Sequence, residues 1–418
     1  MEPGRRKSEE SNSMRKEIWF FGHFGSPNFG DEITLQAILY HLRRRLPQPK
    51  FACICTGPEV LAKSQKIETV AISRDLVKYK RLRSRLARLL RRVFIGVPNE
   101  ICKWLHAFRT LKSTDMLIIP GTGLLTDAYG LSGWGPYNLF RWSLIAKLRG
   151  CKLLFVSVGA GPIYSTLGRY LIKSALSLAD FRSYRDDASL TNIKSIGFST
   201  NGDRVYPDLA FSLPESSIPH YKEKRTGRTV VGLGVMTYAG KYSVENPSNG
   251  IYLEYLNNLV AFAGWVFAHG YDIRLLIGDL SDRSTSTEFK LLLNASFGAY
   301  DEDRIIDQPA LSVEELLPQI AATDIVVATR FHNVLLALIL NKPVVAISFH
   351  HKCASLMGDM GLGEYCHDIN HMNAGRLIEQ FQGVEKNAEK LKPVIRQRVE
   401  QSRKALDEQY KLILKVHE

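Results

Sequence analysis

The stretch from Asp324 to Met357, DIVVATRFHNVLLALILNKPVVAISFHHKCASLM, narrows the choice of fold more than any other part of the chain. Ile325-Val326-Val327-Ala328 is an unbroken apolar, β-branched run, the pattern of a strand buried on both faces. The chain then turns through Thr329-Arg330-Phe331-His332 and continues as an apolar helix from Asn333 to Leu340. It breaks at Asn341-Lys342-Pro343 and enters another buried strand from Val344 to Ile347. Strand, loop, helix, strand is the unit of a parallel α/β sheet. In such sheets ligands sit outside the carboxyl ends of the strands, facing the N-termini of the helices that follow. Arg330 and His332 fall at one such end, and His350, His351 and Lys352 at the next. Each has an ordinary explanation too. An arginine at a strand end is often solvated or ion-paired, and a histidine beside apolar helix residues is often a core residue. Both on one short turn suit a site for an anion and a proton transfer.

The same rhythm recurs along the chain. Strands are expected at Ile18–Phe21, Phe51–Cys55, Thr69–Ile72, Met116–Pro120 and Leu153–Val158, several ending in glycine-rich turns. Residues 214–228, PESSIPHYKEKRTGR, are rich in Pro, Ser and charge and read as a linker. A second series follows, with a strand from Thr229, an apolar helix from Tyr252 to His269, a strand at Ile273–Ile277, and then the stretch described above. A chain of 418 residues has room for two domains. The expected architecture is α/β, two Rossmann-like domains facing across a cleft. Residues 1–17 read as a disordered leader with Met14 as a candidate start, 18–213 as the first domain and 229–384 as the second. Residues 385–418 read as a charged C-terminal helix, with Pro393 near its start, placed to pack back across the first domain.

Charge and cysteine usage limit the partners. A formal net charge of +13 favours anionic ones: a phosphorylated substrate, an acidic lipid surface or nucleic acid. The six cysteines include no C-x-x-C pair, which argues against a zinc ribbon or disulfide framework and suits a reducing cytosol. Cys353 beside Lys352 reads first as an inert buried thiol. His350-His351 reads as a surface or structural pair, so no metal is expected. No apolar run is long enough to span a bilayer, and the charged N-terminus lacks the apolar segment of a secretory signal, so a cytoplasmic protein is expected. Residues 78–93 place Leu82, Leu86, Leu89 and Val93 on one helical face with basic residues around the rest. A helix packed on its domain with a solvated basic face explains this. So does an amphipathic helix on an anionic membrane, which would put the protein at that membrane's inner face. Tyr79 is the one aromatic among these basic residues, too few for a stacking platform, and no recognition helix or zinc finger surrounds them, so nucleic acid is not an expected partner.

The loop after the first strand, GHFGSPNFGDE from Gly22 to Glu32, has glycines for a close backbone approach but lacks the G-x-G-x-x-G of a dinucleotide site. Asp31 stands where the next helix begins. Local grounds put N-capping first, with a catalytic carboxylate as the alternative. Arg185, in SYRDDAS, again lies between a strand-like run and a helix.

Taken in order, these motifs resemble the pattern of the polysaccharide pyruvyl transferases over roughly Ile18 to Leu362. They are GHFGSPNFGDE, PGTGLLTD (Pro120 to Asp127), VSVGAGPI (Val156 to Ile163), SYRDDAS (Ser183 to Ser189), PDLAF (Pro207 to Phe211), TRFH and KPVVAISFHHK (Lys342 to Lys352). The resemblance implies a GT-B-like arrangement, with the acceptor side in the first domain and the donor side in the second. It implies transfer of pyruvyl from phosphoenolpyruvate to two hydroxyls of one sugar, as a cyclic ketal with release of phosphate, in cell-surface or exopolysaccharide biosynthesis. No cofactor beyond that donor is implied. Asp31 and His332 then stand as catalytic residues, and Arg185, Arg330, Lys352, Asn28 and Gly30 as substrate-binding ones.

The residue types suit that chemistry. Phosphoenolpyruvate carries a carboxylate and a phosphate close together, and arginine grips either group bidentately. Its methylene must be protonated and the attacking hydroxyl deprotonated. Asp31 and His332 would divide these roles, in an order the sequence leaves open. The saccharide acceptor is equally open: lipid-linked, polymeric or nucleotide-bound. A GT-B glycosyltransferase using a nucleotide sugar is the alternative. It would need an acidic residue for the ribose, and Glu314 and Glu315, the candidates, look like helix-surface residues. A basic scaffold or nucleic-acid binder would leave Asp31, Arg185 and His332 without a role.

Overall fold

The computed structural model describes residues 16–73, 92–127, 135–219, 227–238, 249–298 and 302–416. Nearly all of the expected leader, most of the basic segment 78–93 and the middle of segment 214–228 lie outside the described residues.

The first half builds a seven-stranded sheet from β1 (Glu17–Gly22), β2 (Lys50–Cys55), β3 (Glu68–Ala71), β4 (Met116–Pro120), β5 (Lys152–Val158), β6 (Phe181–Tyr184) and β7 (Arg204–Val205), in the order β3-β2-β1-β4-β5-β6-β7. The second half builds a six-stranded sheet from β8 (Val230–Gly234), β9 (Asp272–Leu275), β10 (Ile305–Ile306), β11 (Ile325–Ala328), β12 (Val344–Ser348) and β13 (Cys366–Asp368), in the order β10-β9-β8-β11-β12-β13. Every described pairing is parallel. Each sheet grows to one side of its first strand, then reverses to the other. That is Rossmann winding, and it leaves a switch point between β1 and β4 in the first sheet and between β8 and β11 in the second. Helices α1 (Phe29–Arg45), α2 (Pro58–Gln65), α3 (Val97–Thr110), α4 (Gly135–Leu148), α5 (Thr166–Ser177) and α6 (Asp187–Ser195) accompany the first sheet. Helices α7 (Asn249–Ala268), α8 (Arg283–Phe297), α9 (Val313–Ala321), α10 (Phe331–Ile339) and α11 (His351–Asp359) accompany the second.

The two-residue period of a strand sorts the core. Ile18 and Phe20 of β1 join one buried cluster while Trp19 and Phe21 join another, and Met116 and Ile118 against Leu117 and Ile119 repeat the split in β4. The cluster holding Ile18 and Phe20 runs on through Leu35 and Phe211 into Leu233, Val327 and Val345, so one apolar core joins both sheets.

The C-terminal helix differs from its expected form. It starts at Ala374, not near Glu385, and runs to Lys415 as α12, which puts Pro393 well inside it. Leu377, Phe381 and Val384 bury its first part, and Ile395, Val399, Leu406, Tyr410 and Ile413 its second. Pro393 lacks the amide that would bond the carbonyl four residues back, and it falls between these two buried parts. The second part lies on the first half of the chain: Tyr410 stacks on His41 at 4.5 Å, and Arg403 Nε donates to the carbonyl of Phe211 at 3.2 Å. The helix thus leaves the second sheet and returns to the first.

Candidate active site

The strand carboxyl ends of the two sheets face each other, and the loop from Gly22 to Glu32 is one place where they touch. Asn28 forms an antiparallel bridge with Asp279, Phe29 N donates to Gly278 O at 3.3 Å, and Leu280 N donates to Pro27 O at 3.1 Å. Asn28 is the N-cap of α1, its side-chain oxygen accepting from Gly30 N at 2.9 Å. Capping was the first expectation for Asp31. It fails because the helix begins at Phe29, which leaves Asp31 in the first turn with its carboxyl turned to the cleft groups.

Gly30 explains why this loop lacks a side chain. A Cβ there would lie 1.8 Å from Nδ1 of His332, so α1 rests its backbone directly on the imidazole ring. His332 is the second residue of α10, because that helix starts two residues before Asn333. Its Nε2 is buried without a hydrogen-bond partner. Burial, and then the charges of Arg185, Lys352 and Arg330 against that of Asp208, push its pKa down to about 4. Asp31 moves the other way. Burial raises its carboxyl to about 7, with Arg185 and Lys352 only partly opposing. Lys352, in the first turn of α11, is lowered to about 7 by burial and by Arg185. It reaches the first domain, since a Cβ on Gly123 would lie 3.3 Å from its Nζ.

Arg185 follows β6 and is buried. Nη1 bonds Asp208 Oδ2 at 3.3 Å, Nε lies 3.4 Å from Asp186 Oδ2, and the guanidinium stands 5.2 Å from the ring centre of Phe331. Nε and Nη2 have no hydrogen-bond partner. Gly159 makes room for it, because a Cβ there would fall 2.7 Å from Nη2. Asp186 and Asp208 also cap their own helical turns, accepting from Ser189 N at 2.6 Å and Ala210 N at 3.0 Å.

Arg330 is engaged differently. Its Nε and Nη2 each bond Asp282 at 2.7 Å, with Asp279 at 3.7 Å. Burial works against the charged guanidinium, but the bonds and charge of Asp282 outweigh it and raise the pKa. The structure therefore brings Asp31, Arg185, His332 and Lys352 together, uses Asn28 and Gly30 to seat α1, and ties Arg330 to the 279–282 turn. His350 caps α11, its ring accepting from Lys352 N at 3.5 Å. The Cys353 thiol is buried and pushed up to about 12, the inert state expected of it. Among the described residues no cluster of His, Cys, Asp and Glu is arranged to hold a metal ion.

Sequence reading missed the partners. Asp208 lies within a motif noted above, yet nothing in PDLAF marks it as facing Arg185. Ser157 takes a left-handed backbone (φ 49°) where the β5–β6 register shifts. Ser183 Oγ accepts its amide at 2.8 Å, and Gln409 of α12 donates to Ser183 Oγ at 2.7 Å and to Ser157 Oγ at 3.0 Å. This buried network flanks both Gly159 and Arg185.

Comparisons with known proteins show the family and the fold. The Amylovoran biosynthesis protein AmsJ of Erwinia amylovora is 22% identical over 306 residues, 70% of this chain and 71% of that protein. Among solved structures, a putative UDP-N-acetylglucosamine 2-epimerase from Listeria monocytogenes superposes with a TM-score of 0.59 at 12% identity, covering 91% of each chain. HepE of Anabaena in complex with UDP gives 0.57 at 14% identity, covering 95% of this chain and 99% of that one. At such identities these two show the fold, a GT-B-type pair of parallel-sheet α/β domains. A family model described as polysaccharide pyruvyl transferase matches residues 28–351, which takes in all seven site residues named from the sequence except the last, Lys352, one position beyond; the chain belongs to the polysaccharide pyruvyl transferase family.

Proposed function

We propose that the protein transfers a pyruvyl group from phosphoenolpyruvate to two hydroxyls of one sugar in the assembly of a cell-surface or exopolysaccharide. The observation that carries this reading is the buried guanidinium of Arg185, whose Nη2 has no acceptor and whose Nε has only the ion-pair contact with Asp186 at 3.4 Å. A buried donor without an acceptor is costly, and an anion with planar oxygens removes that cost. Lys352 supplies a second cation from the opposite domain.

The perturbed groups suggest how the proton roles divide. Asp31, raised to about 7, still holds its proton near neutrality and is the acid that protonates the donor methylene. His332, lowered to about 4, is the unprotonated base that accepts the hydroxyl proton. The first hydroxyl oxygen bonds to the carbon that bears the phosphate. The second displaces phosphate from that carbon, and its proton leaves with the phosphate. The methyl group has taken the proton of Asp31, the proton of the first hydroxyl rests on His332 and that of the second leaves with the phosphate, so return of the His332 proton to Asp31 closes the cycle.

A nucleotide-sugar donor on the same fold is the second reading, favoured by the UDP complex of the Anabaena protein. Glu314 and Glu315 lend it little. Glu314 accepts from Gln36 at 2.7 Å, and Glu315 accepts from Leu311 N at 2.8 Å at the start of α9. Thermal shift separates the two. A ligand at a hundred times its Kd stabilises by about 2.7 kcal/mol. Phosphoenolpyruvate is expected to raise the Tm of the wild type and not of Arg185→Ala, and saccharide acceptors then to release phosphate. A rise with UDP-sugars and none with phosphoenolpyruvate would overturn the proposal.

A further inference from the structure

Helix α3 is amphipathic the wrong way round for a soluble domain. Val97, Ile101, Leu105 and Phe108 recur at helical spacing and, with Phe94 just before the helix, are 40–71% exposed. Its inward side carries the polar anchors. Glu100 pairs with the buried Arg141 at 3.2 Å, Asn99 is buried, and Trp104 Nε1 donates to the Tyr137 hydroxyl at 2.9 Å. These bonds, with Ala107 and Trp104 packed on the core, hold the helix with the stripe turned to solvent.

Charge around the stripe selects the partner. Glu100 is the only acid in α3, and its carboxylate is occupied by Arg141, Lys103 and Tyr137. Cations mark the margin: Arg109 and Lys112 are exposed, and Arg149 stands 4.6 Å from the ring centre of Phe108. The sequence leading into the helix has eight Lys and Arg between positions 78 and 92 and no acid. Protein interfaces are depleted in lysine relative to the rest of the surface. An apolar stripe with exposed cations at its margin fits an anionic bilayer. Tyr164, Leu167 and Tyr170 of the α5 entry are exposed as well, with α4 packed between α3 and α5. Crossover helices run back along their strands, so the starts of α3 and α5 lie at the strand carboxyl ends, the edge that carries Asp31 and Arg185.

We infer that this face of the first domain docks on an anionic lipid bilayer, with the α3 stripe in the headgroup–acyl boundary and the cleft opening at the lipid surface. If the proposed acceptor reading holds, the sugar reaches the site on a lipid carrier.

The test uses the full chain and vesicles alone, with no donor or acceptor, so its failure leaves pyruvyl transfer untouched. The protein is expected to float with phosphatidylglycerol-containing vesicles and not with pure phosphatidylcholine. Ile101→Asp with Leu105→Asp is expected to lower the bound fraction at least tenfold without lowering the Tm, because both side chains are exposed in the free protein. Leu291→Asp, an exposed leucine of the second domain, serves as control and is expected to bind as wild type. Cys102 is the exposed cysteine, the others being buried or half-buried, so an environment-sensitive thiol probe there reads the same helix and is expected to blue-shift on anionic vesicles only. Equal flotation of the double variant would overturn the inference. So would absence of vesicle binding together with a concentration-dependent dimer that the double variant abolishes, since the stripe would then join two copies.

Discussion

Arg185 and Arg330 occupy equivalent corners, each just past a parallel strand and before a helix, one in each domain. Their surroundings divide them. At the β6–α6 corner the acids stand at 3.3 and 3.4 Å, are themselves bound to backbone amides, and leave two guanidinium nitrogens without a hydrogen bond. At the β11–α10 corner Asp282 takes two nitrogens of Arg330 at 2.7 Å each. The first guanidinium is held in place with buried donors that no hydrogen-bond acceptor takes. The second is closed onto its own domain, where it fixes the 279–282 turn that meets Asn28. A strand-end arginine therefore signals a site only when the local acids leave it donors to offer.

The largest effect should come from breaking the closed corner. Arg330→Ala leaves the fully buried Asp282 carboxylate without its cation, and losing one partner of such a pair costs about 3–5 kcal/mol. Denaturant midpoints should fall accordingly, and Asp282→Ala added to it should restore part of the loss. Wild-type stability in Arg330→Ala combined with lost donor binding would show that Arg330 grips substrate after all. The open corner should respond in activity. Arg185→Lys keeps the charge but loses the planar fork, and removing such a preorganised donor typically costs about 10²–10³-fold. A fall of that size in kcat/KM, with a near-native Tm, would sharpen the contrast; a lysine variant as active as wild type would remove it.

Much of this was legible in the sequence, for a physical reason. A parallel sheet buries both faces of its strands, so runs such as Ile325–Ala328 and Val344–Ile347 announce themselves. The residues at their carboxyl ends follow by topology alone, and Arg185, His332 and Lys352 were placed that way. What stayed hidden was who faces them. Asp282 lies 48 positions before Arg330 and Gln409 lies 252 after Ser157, and no local pattern encodes such a meeting. The capping of α1 by Asn28 was hidden for a subtler reason. Asn and Asp compete for the same role in NFGD, and the choice depends on where the chain leaves its bridge with Asp279. The spacing of Val97, Ile101, Leu105 and Phe108 is the same for a buried and an exposed helix face, and only the packing shows the stripe of α3 turned outward.

The smallest effect concerns the imidazole between the two corners. His332 binds its proton more weakly when folded, at about 4, than at its ordinary value near 6.5. Between those values the unfolded chain is the better proton binder, so its contribution to stability is complete above pH 6.5 and is lost as pH falls toward 4. His350, lowered to about 3 mainly by burial, pulls the same way, while Asp31, raised to about 7, pulls the other over pH 3.8–7. His332→Asn removes one of these opposing contributions and leaves the rest. Its Tm should therefore fall less, or rise more, than that of wild type when pH is lowered from 7 to 5, with the gap closing at pH 8. Parallel curves for the two proteins would mean that the ring already titrates normally in the folded chain. The Arg185 and Arg330 corners would then be wet rather than dry, and the contrast between them would rest on geometry alone.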